Sequence, residues 1–398
     1  MLSVIRFVPK RLFVPRPYFR SARLFSTINM PHQDKQVFDL TSDTATQPTD
    51  EMFDIMKLAH RGDDVFTQSK TVNELEDYVA KLLGKEAALF CATGCMTNQL
   101  ALRVLLTQPP HSVLCDARSH VFVYECGGIS YHSQASVSPV VPRNGHHLTL
   151  EDVQSNVITD TLACAPTRVI SLENTLNGTL LPLEEIKRIH DYARQNDLKL
   201  HLDGARLWNA SQETGIPMHE YGQYFDTISV CLSKGVGAPI GSIMASTKEN
   251  IVRARHVRKL MGGGWRQAGL LAAAAKHCID TVVPTMKQTH QLTKKLAVAL
   301  EGLGMTLTAP CETNMIFLDT AQAGIRVSDL ADELLQHNIV IGSSPGTQTR
   351  IVMHYQVNEE AINTFIQVAS KVVAEKRDLG SDVSTQVGSG SIYPSVSA

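Results

Sequence analysis

The chain has 398 residues, 43% of them hydrophobic, which is enough to bury a sizeable core and excludes a chain disordered over most of its length. Its formal net charge of −2 gives no overall basic footprint for nucleic acid or an anionic membrane surface, and no apolar stretch reaches the roughly 18 residues that span a bilayer. The eight cysteines show no CxxC pair and no Cys/His spacing of a zinc site, so reduced thiols, no metal and a small-molecule substrate are expected.

Residues 1–33 differ in kind from the rest. Arg6, Lys10, Arg11, Arg16, Arg20 and Arg23 precede the first acidic residue, Asp34, among Leu, Phe, Val and Ser. That is the Arg-rich, acid-poor composition of a mitochondrial transit peptide. Pro9, Pro15 and Pro17 would interrupt an amphipathic helix there, and Met30 offers a second start, so a cytoplasmic form is the alternative.

The turn-rich stretch Asp39 to Pro48, with Ser42 in it, reads as a loop laid across other structure. Helices are expected over Asp50 to His60 and Thr71 to Leu83, the second ending at Gly84. A short buried strand, Ala87 to Cys91, then runs into a helix from Cys95. Gly94 between them would let backbone N–H groups point at an anion such as a phosphate, although any βα turn can look this way. After a strand at Ser112 to Cys115, His120 sits just past the strand end, where an imidazole could stack on a cofactor ring or simply be a satisfied histidine.

Strand Arg168 to Leu172, helix Pro182 to Gln195 and strand Leu198 to Leu202 alternate as βαβ units, which points to a mostly parallel sheet. Asp203 ends the last of these strands, and Lys234 follows the next, Thr227 to Leu232. A carboxylate and an amine delivered to one sheet edge suit pyridoxal phosphate: the amine forms a Schiff base, and the carboxylate keeps the pyridine nitrogen protonated. Taken singly, Lys234 could equally be a solvated loop lysine and Asp203 a helix cap.

Beyond Lys234 come a strand at Ile240 to Ala245, a basic helix (Ile251 to Leu260) that reads as a solvated face, and Gly262 to Gly264, where something demands close backbone approach. From about Met286 the pattern changes to a smaller α+β unit, with strands at Asn314 to Leu318 and Arg350 to Tyr355, Arg350 opening the second. The expected organisation is a transit peptide (1–33), a large cofactor-binding domain (34–285), a small C-terminal domain (286–378) and a disordered tail (379–398).

Together, DLTSDTATQPT, GDDVF, NELE, GKEAALF, SLENTLNG, LHLDGAR, CLSKGVGAPIGS, RKLMGGGWRQAG and RIVMHYQV resemble the low-specificity L-threonine aldolases, in one colinear order from about Asp39 to Lys371. The resemblance implies an α/β, fold type I pyridoxal-phosphate enzyme of the aspartate aminotransferase kind. It would have a large, mostly parallel seven-stranded sheet and a small C-terminal domain, assembled as a homotetramer (a dimer of dimers). Its substrate would be an amino acid, L-threonine or L-allo-threonine, cleaved to glycine and an aldehyde. By matching motif, Lys234 is the Schiff-base lysine, Asp203 the pyridinium partner and His120 the stacking group, while Gly94 and Cys95 hold the phosphate. Arg206, Arg350 and Ser42 would grip the substrate carboxylate, and Lys259 and Arg266 would approach the cofactor of a neighbouring subunit.

Four positions depart from the family pattern. Cys95 stands where Thr is usual, Phe66 where Tyr is usual, and Thr41 where Arg is common; Ala163 replaces a second active-site histidine linked to the β-hydroxyl. With hydroxyl-handling groups lost, His120 or a water becomes the candidate base. A pyridoxal-dependent alanine racemase of the same family is the alternative function, and a non-catalytic homologue a third.

Overall fold

The computed structural model describes residues 36–378. The expected transit peptide and C-terminal tail therefore lie outside the described residues. Among the described residues no helix is long and apolar enough to cross a membrane.

A seven-stranded sheet organises the chain, in the spatial order Ala87–Cys91, Ser242–Ser246, Thr227–Cys231, Lys199–Asp203, Thr167–Glu173, Ser112–Asp116, Ser136–Val140. Ser242–Ser246 runs antiparallel to both its neighbours, and the remaining pairs are parallel. All strands but Ser242–Ser246 thus end at one edge. The central strands carry Val169, Ile170, Leu200, Leu202, Ile228 and Val230 with no exposed surface, as expected of a sheet covered by helices on both faces. Ser136–Val140 was not legible as a strand, because Pro139 and its alternating polar residues fit only an edge position.

A second core lies around the antiparallel sheet Gln348–Val352, Met315–Asp319 and Thr306–Leu307, where Ile316, Ile351, Leu296 and Phe365 are fully buried. The segment Phe38–Asp39 pairs with Ile339–Val340, and Leu40 is buried in this C-terminal core. Residues near the start of the expected large domain thus pack with the small one. Arg350 does not open its strand, as expected, but stands in the middle of it opposite Phe317, because the strand begins two residues earlier, at Gln348.

The basic helix spans Lys248–Leu260, and its expected solvated face is half wrong. Arg253 reaches solvent, whereas Arg258 is 2% exposed and pairs with the buried Asp64 at 2.8 Å. Asp64 lies 194 residues away in sequence, so no local pattern could announce the pair. The glycine run behaves as expected: a Cβ on Gly263 would sit 2.6 Å from Met96 Sδ.

Candidate active site at the carboxyl edge of the sheet

Asp203 is the last residue of its strand and is 2% exposed. Its Oδ2 accepts from Asn98 Nδ2 at 2.8 Å and its Oδ1 from Ala205 N at 3.0 Å. Asn98 projects from the helix Gly94–Leu105, which Thr93 caps by accepting from Met96 N. The same Asn98 amide donates to Glu125 Oε1 at 2.8 Å, while His201 Nε2 meets Asn98 Oδ1 at 3.2 Å. Burial pushes the His201 imidazole down to about 4. A neutral ring that donates to Oδ1 therefore fixes which way the Asn98 amide faces.

His120 begins a short helix, and Glu173 Oε2 accepts from its backbone N at 2.8 Å. Its Nδ1 lies 2.9 Å from Glu125 Oε1, and Gln99 Nε2 donates to the other oxygen at 2.6 Å. With Nδ1–H donating to the carboxylate, Nε2 is left as the acceptor. Glu173 is the cross-strand partner of Asp203. Burial first, and then the Asp203 carboxylate, raise the Glu173 carboxyl well above the usual range.

Arg206 follows the Asp203 strand and grips Asp43 through Nε and Nη2, both at 2.7 Å. Asp43 has no exposed surface. Burial alone would raise its carboxyl, but the Arg206 guanidinium and its hydrogen bonds, followed by the Lys234 ammonium, bring it to about 2. Arg350 Nη2 donates to Thr41 O at 3.3 Å, and Ser42 caps the turn Asp43–Ala45 by accepting from Thr44 N. Arg206 and Arg350 thus both reach the loop that carries Ser42.

Lys234 follows the strand Thr227–Cys231, which neighbours the Asp203 strand. Its ammonium acts on Asp43, Glu173 and Cys95 alike, which places its charge among them. Among the described residues no carboxylate lies within ion-pair distance of its Nζ.

At the start of the helix Gly94–Leu105 the first N–H groups have no intrahelical partner. A Cβ on Gly94 would lie 2.7 Å from Cys231 Sγ, so only glycine fits the turn. Cys95 reaches solvent at the mouth. Partial burial and then the Glu125 carboxylate push its thiol up to about 11.

Of Lys259 and Arg266, Arg266 is engaged within the chain and Lys259 is exposed. Arg266 pairs with Asp63 at 2.8 Å and lies 5.9 Å from the Phe66 ring centroid, and a Cβ on Gly264 would meet Lys259. Ala163 is exposed in the loop before the strand Thr167–Glu173. That strand delivers Glu173 to the site, and Ala163 lies in the loop that leads into its opposite end.

The donor set fits a pyridoxal phosphate group. A free amine, a buried carboxylate for a ring nitrogen, an imidazole beside it and a helix start for a phosphate meet at one edge. Asp43, Asn98, Glu125 and Glu173 were missed from the sequence. The only local signal was their place in the same short motifs as Ser42, Gly94, His120 and Leu172.

The sequence profile of the family described as "Beta-eliminating lyase" matches residues 39–323. The low-specificity L-threonine aldolase of Eremothecium gossypii is 43% identical over 332 residues, 83% of this chain and 86% of that one. The alanine racemase TOXG of Cochliobolus carbonum is 35% identical over 83% of this chain and 86% of its own. Among solved structures, a threonine aldolase of Leishmania major superposes with a TM-score of 0.72 at 19% identity, over 84% of this chain and 99% of that one, which speaks for the fold alone.

Proposed function

The chain belongs to the low-specificity L-threonine aldolase family, and from that premise we propose that it cleaves L-threonine and L-allo-threonine between Cα and Cβ, giving glycine and an aldehyde. It is a carbon–carbon lyase. The observation that carries the reading is the meeting of Lys234, Asp203, His120 and the Gly94 helix start at one sheet edge. When bound, pyridoxal phosphate supplies the ring that accepts the electrons of the broken bond.

The chain's own residues do the rest. Lys234 would hold the cofactor through its amine, Asp203 would face the ring nitrogen, His120 would cover the ring, and Gly94 and Cys95 would receive the phosphate. Arg206, Arg350 and Ser42 would orient the substrate carboxylate, and with it the bond to be broken. Asp43 positions Arg206 by fixing two of its nitrogens. His120 Nε2 would take the proton of the β-hydroxyl, with Glu125 on Nδ1 stabilising the imidazolium that results. Asn98 and Gln99 hold Glu125 in place for that task.

We further propose a homotetramer, a dimer of dimers, in which Lys259 and Arg266 approach a neighbouring chain's site. Phe66, whose ring lies beside Arg266, and Leu260, next to Lys259 in sequence, are large apolar side chains 64% and 82% exposed that such an interface would cover. We propose likewise a division into domains 34–285 and 286–378, and mitochondrial import with a cytoplasmic form as the alternative. The deciding experiment gives purified protein L-threonine, L-allo-threonine and L-alanine and scores acetaldehyde and D-alanine. Aldehyde from both threonines is expected; D-alanine without aldehyde would replace this reading with the racemase one.

A further inference from the structure

Cys95, His120 and Glu125 each direct one ligand atom toward the others, all within 4.8 Å. Two of these donors are an imidazole nitrogen and a sulfur, which separates the group from an ordinary acidic cluster. Zinc held at about 2.0–2.3 Å from tetrahedral ligands needs donors on the order of 3.6 Å apart. The observed spread, from 2.9 Å between His120 Nδ1 and Glu125 Oε1 up to the 4.8 Å limit, brackets that distance.

The group also has the supports a metal site needs. Glu125 is 6% exposed and is held by Asn98 and Gln99, so its carboxylate is already oriented. Cys95 is exposed, which leaves an entry path, and the third donor, His120, is partly open at 26% side-chain exposure. Asp203 lies one hydrogen-bonded residue away through Asn98 and adds negative charge behind the site.

We propose that Cys95, His120 and Glu125 form a zinc-type metal site in the cofactor-free protein, and that metal and cofactor exclude one another there. The exclusion rests on the proposed placement of pyridoxal phosphate; the metal site does not. The cation replaces the proton between His120 Nδ1 and Glu125 Oε1, and that proton is carried by Nε2 instead. Cys95 Sγ releases its own proton to solvent and binds as thiolate, and a water completes four ligands. Thiolate and imidazole select zinc, cobalt or cadmium over magnesium and calcium. The consequence is a brake on cofactor loading that depends on the cysteine.

The test uses the full chain stripped of pyridoxal phosphate and titrated with Co²⁺, whose bond to a thiolate gives a near-ultraviolet charge-transfer band. One equivalent with that band is expected, and Zn²⁺ should displace it. Cys95→Thr should lose the band and weaken binding by at least ~10–100-fold. Glu125→Gln should keep the band while binding more weakly. Cofactor loading, followed by visible absorbance, should slow with Zn²⁺ in wild type, recover with a chelator, and ignore Zn²⁺ in Cys95→Thr. Cobalt binding without the band, or unchanged in Cys95→Thr, overturns the site and leaves the aldolase reading standing. Binding with the band but no effect on loading overturns the exclusion and, with it, the placement of the phosphate beside Cys95.

Discussion

Two groups of buried charge flank the helix Gly94–Leu105, and they are built differently. Beside the strand Ala87–Cys91, Arg258 meets Asp64 and Arg255 meets Glu76 at 2.8 and 2.7 Å, and Phe90 N donates to the free oxygen of Glu76 at 2.8 Å. Two guanidiniums balance two carboxylates. At the carboxyl edge, Asp43, Glu125, Glu173 and Asp203 face Arg206, Lys234 and Arg350, so acid is in excess by one. A closed set of pairs holds a fold; a set with surplus acid must keep protons or receive a cationic guest, which is what a functional site needs.

The sharpest break of this comparison is a pair of variants. Lys234→Ala should lower aldehyde release by more than ~10³-fold and abolish the visible band of the reconstituted protein, with urea denaturation changed by less than about 1 kcal/mol. Asp64→Ala should do the reverse: leaving Arg258 buried without its partner costs about 3–5 kcal/mol, with activity per folded molecule retained. Equal losses of stability in both would show that the two groups are not functionally distinct.

Asp43→Asn comes next. It removes the charge that fixes Arg206, and a hydrogen bond to a charged group is worth about 1.5–3 kcal/mol, so kcat/KM should fall roughly 10- to 150-fold, mostly through KM. Because the folded Asp43 carboxyl lies near 2 against an ordinary 3.8, its stabilisation is complete above about pH 4 and disappears as pH falls through 2. Wild type should lead the variant by about 2 kcal/mol at neutral pH, and the lead should close in acid. A constant gap across pH 2–6 would mean that Asp43 is not depressed by Arg206.

What the sequence told and hid follows from the range of each signal. Asp203, Lys234 and Gly94 were legible because a strand ending in an ionisable residue or Gly is a local pattern, and strands such as Ala87–Cys91 carry their own burial. Asp43 was hidden because it acquires meaning only from Arg206, 163 residues on, just as Arg258 does from Asp64. Glu125 and Glu173 gain theirs from Asn98 and His120 through chain reversals that no periodicity encodes. The register of Arg350 was missed because polar Gln348 and Thr349 look like loop, though they pair with Asp319 and Leu318.

Cys95→Thr tests the surplus at its cofactor end. Thr would offer a hydroxyl where a weak thiol donor now stands. If half the worth of a charge-assisted bond is realised, pyridoxal phosphate should bind roughly tenfold tighter. Indistinguishable dissociation constants would mean that the backbone N–H groups already satisfy the phosphate.

The smallest expected effect is the most telling about the surplus, because it depends on where one proton resides. Burial and then Asp203 raise the Glu173 carboxyl well above the usual range, which favours its neutral form, the one a glutamine mimics. Glu173→Gln keeps an oxygen to accept from His120 N and should change kcat/KM by less than about threefold and stability by under ~1 kcal/mol. Glu173→Ala, which leaves that N–H without its acceptor, should cost about 1–3 kcal/mol. The sign with pH follows from the raised value. Glu173 stabilises the fold fully below its unfolded value of about 4.3, and that contribution fades as pH rises toward the folded one. Gln does not titrate, so the variant should gain on wild type as pH increases from 4 to 8. If Gln instead loses ground over that range, or costs as much as Ala, Glu173 is ionised beside Asp203 and its charge must be balanced by the site's cations, Lys234, Arg206 and Arg350.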